Sequence, residues 1–431
     1  MDTKITLFRN NLFKYNLLIS NIRIILLLLF ILGQSCSSQI KITTDYNNKQ
    51  IQIINKIQLE ENDENIIKTI TNFSISKNSE LLLNDYYSGE IKVYHLYTGK
   101  LRFITEIPKE YIDSIALKVQ PWFPDKPPVT THFINNLKLR KEKKVADIKK
   151  SLSTFYGHSV YFNDTIVSMA SIYYPLLIDT INGVHWASAP QVILLKNYSN
   201  KILSYNLLEN QKEKQIFPDP NVFVYDQKNI LFFVKTMKYI QPGSINKDSL
   251  YIICKYFTDG RFKEPLVVLP DEYVKSKLEY NFARPIMAMN KDNILFYTFP
   301  LSDKIYISNN QTHFNIKNFP DDNKFGFIKL YDQPQLIQKQ ENFKELFKTT
   351  ILNINTLNNT DNIIIFWCSR LNKKINFFIQ EYTLSGKLIS QMEFNNTESE
   401  EIIYINYSKE IGKIVVFSKS EKGVFINLID W

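Results

Sequence analysis

From Ile66 onward, short runs of β-branched and aromatic residues recur between polar breaks rich in Asn, Asp, Ser and Gly. Such residues fit a pleated, half-buried surface, and the breaks supply turns, so the texture predicts strands joined into hairpins. The runs include Ile66 to Ile75, Glu80 to Asp85, Ile91 to Leu96, Leu101 to Ile107, Ser159 to Phe162, Thr165 to Ala170, Lys201 to Leu207, Leu250 to Phe257, Phe325 to Leu330, Lys374 to Tyr382 and Lys413 to Ser418. About twenty of them, with few helical patterns between, predict an all-β fold.

Two segments depart from this texture. Asn135 to Leu152 carries Lys138, Arg140, Lys141, Lys143, Lys144, Lys149 and Lys150, with Leu137, Val145, Ile148 and Leu152 at near-helical spacing. It predicts a basic amphipathic helical insertion near 135–152. Leu336, Phe343, Leu346, Phe347 and Ile351 make 336–352 a second helical candidate.

Three predicted hairpins share one local form: Tyr94-His95-Leu96-Tyr97-Thr98-Gly99-Lys100-Leu101, Lys255-Tyr256-Phe257-Thr258-Asp259-Gly260-Arg261-Phe262 and Glu381-Tyr382-Thr383-Leu384-Ser385-Gly386-Lys387-Leu388. In each, Gly supplies a positive φ between an aromatic-bearing strand and a basic residue that opens the next. The glycines lie 161 and 126 residues apart. For propeller blades of about 40 to 45 residues, those spacings predict four and three repeats. The expected architecture is a β-propeller of six to eight blades, with seven as the central value. The terminal run Gly423 to Ile429 is expected to close the ring by pairing with an N-terminal strand. The polar stretch 36–64 reads as a tether or a first strand (Lys41 to Thr44, Gln50 to Ile57), its acidic run Glu60 to Glu64 as a solvated turn, and 65–431 as the propeller.

Lys4, Arg9, Lys14 and Arg23 precede an uninterrupted apolar run from Ile24 to Leu32, followed by Gly33-Gln34-Ser35-Cys36. A positive segment, a short apolar segment and small residues are the plan of a signal peptide, here 1–35. A membrane-spanning helix would need about 20 apolar residues. The ending resembles a bacterial lipoprotein box, with Leu32 one place further out than usual, and implies lipidation of Cys36 and a membrane anchor. Position 37 is Ser rather than the Asp that holds some lipoproteins at the inner membrane, so the expected location is the cell envelope at the outer membrane. The alternative is an ordinary signal peptide cut near Ser37, with Cys36 incidental.

With the signal and Cys36, the hairpin Ile91 to Ile107, the phrase Tyr297-Thr298-Phe299-Pro300-Leu301-Ser302-Asp303-Lys304-Ile305-Tyr306 and the ending Lys422-Gly423-Val424-Phe425-Ile426, the chain resembles uncharacterised bacterial lipoproteins with a six-bladed-propeller-like body, a domain of unknown function. The resemblance implies a propeller and carries no catalytic residues with it.

Composition narrows the chemistry. The 431 residues include 30 Phe and 25 Tyr, enough apolar surface to fold rather than remain disordered. No Gly-x-Ser-x-Gly, His-Glu-x-x-His, Walker A, Gly-x-Gly-x-x-Gly or Cys-x-x-Cys motif occurs, and the five His lack metal-ligand spacing. No catalytic residue, metal or cofactor is therefore assigned. Cys254 and Cys368 read either as a disulfide or as buried free thiols. The formal charge is +9, and its concentrated basic run 138–150 reads as a solvated helix face or as a surface for anionic lipid or polysaccharide; nucleic acid is not expected of an exported protein. Aromatics with polar neighbours can stack on sugars or anchor peptides, or else pack between blades. The candidate ligand-binding residues are Trp122 and Phe123 in a Pro-rich loop, Tyr156 and His158 around Gly157, Tyr173 and Tyr174, and His185 and Trp186 after the Asn182-Gly183 turn. The expected function is non-catalytic binding of a glycan or protein partner. The rivals are a scaffold subunit of an envelope complex, and a hydrolase or lyase using Asp164, Asp179, Asp226 or Glu272 in the funnel.

Overall fold

The computed structural model describes residues 41–43, 53–63, 65–85, 90–105, 159–162, 165–171, 177–181, 184–188, 191–197, 202–209, 216–225, 229–236, 251–270, 284–308, 312–316, 349–371, 374–396 and 399–431. Among them every regular element is a strand. The chain begins with β1 (Lys41–Thr43) and β2 (Ile53–Gln58). Blade 1 is built from β3 (Ile70–Ile75), β4 (Glu80–Asp85), β5 (Glu90–His95) and β6 (Leu101–Thr105). Blade 2 takes β7 (Ser159–Phe162) and β8 (Thr165–Ser171), sets aside the two-stranded ribbon β9 (Leu177–Ile181) and β10 (Val184–Ser188), and resumes with β11 (Gln191–Asn197) and β12 (Ile202–Leu207).

Blade 3 is β13 (Ile216–Tyr225), β14 (Asn229–Thr236), β15 (Tyr251–Phe257) and β16 (Phe262–Val268). Blade 4 is β17 (Ile286–Met289), β18 (Leu295–Thr298), β19 (Lys304–Ile307) and β20 (Thr312–Asn315). Blade 5 is β21 (Thr349–Thr356), β22 (Ile363–Leu371), β23 (Lys374–Tyr382) and β24 (Leu388–Asn395), with β1 added as a fifth strand outside β24. Blade 6 is β25 (Glu401–Ser408), β26 (Lys413–Ser420) and β27 (Gly423–Asp430), completed by β2 on its outer edge.

Around the ring β3 adjoins β7, β13 adjoins β8 and β11 of blade 2, β17 adjoins β13, β21 adjoins β17, β25 adjoins β21, and β25 returns against β3. The expected β-propeller is therefore present. The described residues form one five-stranded and five four-stranded sheets around it, at the low end of the expected range and one blade below its central value. Ring closure follows the expected plan: β2 pairs antiparallel with β27, with Ile53 opposite Ile429 and Gln58 opposite Phe425.

Second strands carry the longest buried runs. β4, β18 and β26 are buried almost throughout because a neighbouring blade covers each face. A short continuous apolar run bounded by turns is the mark of such a doubly covered strand. Outer strands alternate or stay exposed, as β2 and β16 do. The core is accordingly divided into layers between blades. One layer joins blades 5 and 6 through Phe366, Phe394 and Val416, and another joins blades 6 and 1 through Phe73, Leu83 and Phe417. Trp367 stacks on Phe378 at 4.1 Å between ring centroids in the layer facing blade 4.

The three glycine turns take the positive φ that their sequence requires: +68° at Gly99, +89° at Gly260 and +80° at Gly386. They lie at the same place in blades 1, 3 and 5, between third and outer strands. Their spacings thus each cover two blades rather than four and three repeats. The constant-period assumption failed because connections between strands differ widely in length. The region 336–352 also departs from expectation: Thr349 to Leu352 belong to β21, where Ile351 is buried opposite Trp367. A spacing that suits a helix face over a few positions also suits a bulged strand, and β21 shifts register between Ile351 and Asn353. Strands β9, β10, β17, β20 and β21 have no counterpart among the expected runs. The Phe325 to Leu330 run and the basic segment 135–152 lie outside the described residues.

A loop end and a turn end of the ring

Consecutive strands in each sheet are antiparallel, so their connections alternate between two ends. First-to-second and third-to-outer connections share one end, which is built of tight turns such as 76–79, 290–294, 357–362 and 409–412. Second-to-third connections, and those leading to the next blade, share the other end. There the chain makes its long excursions: 106–158, 172–190, 237–250, 269–285 and 317–348.

The turn end is closed by local chemistry repeated from blade to blade. Ser76 Oγ accepts the amides of Asn78 and Glu80, and Asn290 Oδ1 accepts those of Asp292 and Ile294 at 3.0 and 2.9 Å. Each turn then places one residue at positive φ: Ser79, Asn293, Asp361 and Gly412 in blades 1, 4, 5 and 6. Contacts between blades lock these turns together. Lys291 pairs with Asp361 at 2.8 Å, Asn358 Nδ2 donates to the Lys409 carbonyl, and Lys409 Nζ donates to the Met289 carbonyl. Thr356 Oγ1 donates to the same carbonyl at 3.0 Å. Burial lowers the pKa of the half-buried Lys409 ammonium to about 8, against the opposing pull of Glu410 and Asp361. Sequence reasoning missed this network, whose signal is the recurrence of Ser76-Lys77-Asn78, Asn290-Lys291-Asp292 and Ser408-Lys409-Glu410.

The passage from blade 6 into blade 1 is held by charged side chains. Glu61 accepts the amides of Ile67 at 2.8 Å and Val424 at 2.9 Å, so one carboxylate joins segments from opposite ends of the chain. Glu60 accepts the amide of Leu101 at 3.0 Å. Part of the acidic run read as a solvated turn is thus a clasp. The fully buried Lys92 donates to the Ile66 carbonyl at 2.7 Å and lies 3.6 Å from Asp85, which accepts the amides of Lys68 and Thr69.

Cys254 and Cys368 are buried and not bonded to each other; they lie on β15 and β22 of different blades. Burial pushes the Cys368 thiol pKa upward. The disulfide reading is therefore replaced by that of core thiols. Among the described residues no group of His, Cys, Asp and Glu is arranged to hold a metal ion.

Cys36, Trp122, Phe123, Tyr156, His158, Tyr173 and Tyr174 lie outside the described residues, as do Asp164, Asp226 and Glu272. His185 and Trp186 are on β10 rather than in a turn; the ladder sets His185 opposite Thr180 and Trp186 opposite Asp179. In chain position, all eight candidate ligand residues fall in two connections, 106–158 and 172–190. Both connections adjoin blade 2 at the loop end.

No protein-family model matches the chain, and no curated protein matches it in sequence. Among solved structures it is similar to a member of the DUF4221 family from Bacteroides vulgatus, at 8% identity and a TM-score of 0.51, covering 91% of this chain and 98% of that one. It is also similar to the PQQ-bound aldose sugar dehydrogenase of Streptomyces coelicolor, at 8% identity and TM-score 0.42, over 90% and 99% of the two chains. Virginiamycin B lyase from Staphylococcus aureus follows at 12% identity and TM-score 0.37, over 88% and 98%. At such identities the likeness to the DUF4221 protein speaks for the fold alone: this chain is a β-propeller.

Proposed function

We propose that the protein is a cell-envelope lipoprotein, anchored through Cys36 to the outer membrane and related to propellers such as the DUF4221 protein. Its ring binds a glycan or a protein partner without catalysis. The observation that supports this reading most is the concentration of the candidate aromatic residues in the two connections beside blade 2, at the end where the ring makes its long excursions. A rigid ring carrying variable loops at one end is a common way to position binding residues. Exposed aromatic faces there would stack on sugar rings or fill pockets on a partner.

The test is retention of the mature chain on a glycan array, compared with Trp122→Ala and Trp186→Ala. Blade 2 keeps its β8–β11 ladder on either side of the ribbon bearing Trp186, so removal of that side chain should leave the sheet folded. Retention lost in either variant supports glycan binding at this end. Stoichiometric co-purification of an envelope protein without glycan retention selects the protein partner. Release of product from a retained glycan, or retention indifferent to both substitutions, overturns the proposal.

A further inference from the structure

We infer that one end of the blade 5 sheet, marked by Lys41, Arg370 and Lys374, faces the bilayer and meets anionic phospholipid headgroups. The inference rests on the lipid-anchor reading of Cys36 and adds an orientation to it. β1 lies antiparallel on β24, with Lys41 opposite Asn395 and Thr43 opposite Glu393. The chain preceding Lys41 therefore leaves from the end of the sheet where β24 finishes. That row of the ladder continues from Asn395 to Asn376 and then Ser369. Arg370 and Lys374 follow at the β22–β23 connection, and Arg370 is exposed.

Adjacent strands are about 4.8 Å apart, so this basic hairpin end lies roughly 10 to 15 Å from the departing chain. Cys36 precedes Lys41 by five residues, a leash of about 17 Å when fully extended. β24 itself, eight residues long, spans about 27 Å. A lipid on Cys36 thus holds one end of blade 5 near the headgroups and leaves the other, at turn 383–387, farther away. Among the described acids near this end, Glu393 stands opposite Thr43, Glu400 is held by Lys56 at 2.7 Å and by Ser418, and Glu401 is exposed. Cations within a Debye length, about 10 Å, of an anionic surface are drawn to it.

The mature acylated protein tests this on vesicles of phosphatidylcholine and phosphatidylglycerol containing a headgroup-linked quencher. A fluorophore is placed at Ser399→Cys, just after β24, or at Ser385→Cys, at the opposite end of the same blade; both positions are exposed. Cys254 and Cys368 are buried and leave labelling to the introduced thiols. Quenching at position 399 should exceed that at 385 several-fold, and Arg370→Glu with Lys374→Glu should lower the ratio on anionic but not on neutral vesicles. Equal quenching at both positions on vesicles carrying acylated protein overturns the orientation. A ratio indifferent to charge reversal overturns the headgroup contact. Protein that lacks acyl mass and fails to float with vesicles overturns the anchor reading instead.

Discussion

Gly99→Ala and Gly412→Ala form a matched pair, because the two glycines share a backbone conformation and differ in their surroundings. Their φ angles are +68° and +64°. At Gly412 a methyl group would meet only the Tyr407 hydroxyl, at 3.9 Å. The cost is then that of an L-residue in the left-handed region, about 1–2 kcal/mol, less about 0.4–1 kcal/mol from a stiffer unfolded chain. At Gly99 the same methyl would overlap the Gln58 carbonyl at the end of β2. The turn must then withdraw from the closing strand, taking with it the bond from the Glu60 amide to the Gly99 carbonyl at 2.8 Å. The bond from the Leu101 amide to the Glu60 carboxylate is stretched by the same movement. At about 1 kcal/mol each, these losses bring Gly99→Ala to roughly 3 kcal/mol, against about 1 for Gly412→Ala. Urea denaturation of the mature chain measures the difference, and amide exchange at Glu60 and Leu101 locates it. Equal losses in the two variants, or unchanged exchange at both amides in Gly99→Ala, would refute the argument from close approach.

Lys92→Met should cost about 3–5 kcal/mol, because it leaves the buried Asp85 carboxylate without its counter-charge; the Lys92→Met/Asp85→Asn double variant should lose less than the sum of the singles, measured by the same denaturation. Lys409 should give a pH dependence of known sign. Its folded pKa of about 8 lies below its ordinary 10.5, so the unfolded chain binds more protons between those values, and stability relative to Lys409→Met should rise as pH climbs from 8 to 10.5. A flat difference between the two proteins across that window removes the buried-ammonium account. Thiol titration of the mature protein should find Cys254 and Cys368 unreactive when folded and both reactive in denaturant, whereas a single equivalent or none after unfolding contradicts core thiols.

The strands were legible wherever a run was doubly buried. Glu80 to Asp85 and Lys374 to Tyr382 match β4 and β23, because burial of both faces leaves apolar runs at their centres, Leu81 to Leu83 and Phe377 to Ile379. Of the strands without a counterpart, β9, β10, β17 and β20 are short and β20 is largely exposed, while β21 alternates and begins inside the segment read as helical. The blade count was harder to read because only alternate blades carry the glycine turn. In the corresponding connections of blades 2 and 4 the sequence has Asn200 before Lys201 and Asn310 before Gln311. Asn is the side-chain-bearing residue that best tolerates the left-handed region. Admitting it beside Gly would have raised the number of visible repeats from three to five. The candidate site was legible only as composition: aromatic residues in polar segments reveal neither which blade they join nor which end they occupy. Strand direction supplies that information, and direction follows from the whole topology.

The entry of the chain separates anchoring from closure. β2 is the outer strand of blade 6 and closes the ring, so whatever pulls it away opens the layer between blades 6 and 1, where Ile57 packs with Phe417 and Ile426. β1 is paired elsewhere, on the outer edge of blade 5. If Cys36 bears lipid, tension from the membrane reaches the β1–β24 ladder before it reaches β2. That ladder contributes no strand to the closure. The closing strand is then held on its far side by Glu61, whose carboxylate ties the residues after β2 to the start of β27. A body hung directly from β2 would place its load on the sheet that closes the ring. An added strand on the neighbouring blade takes up that load first.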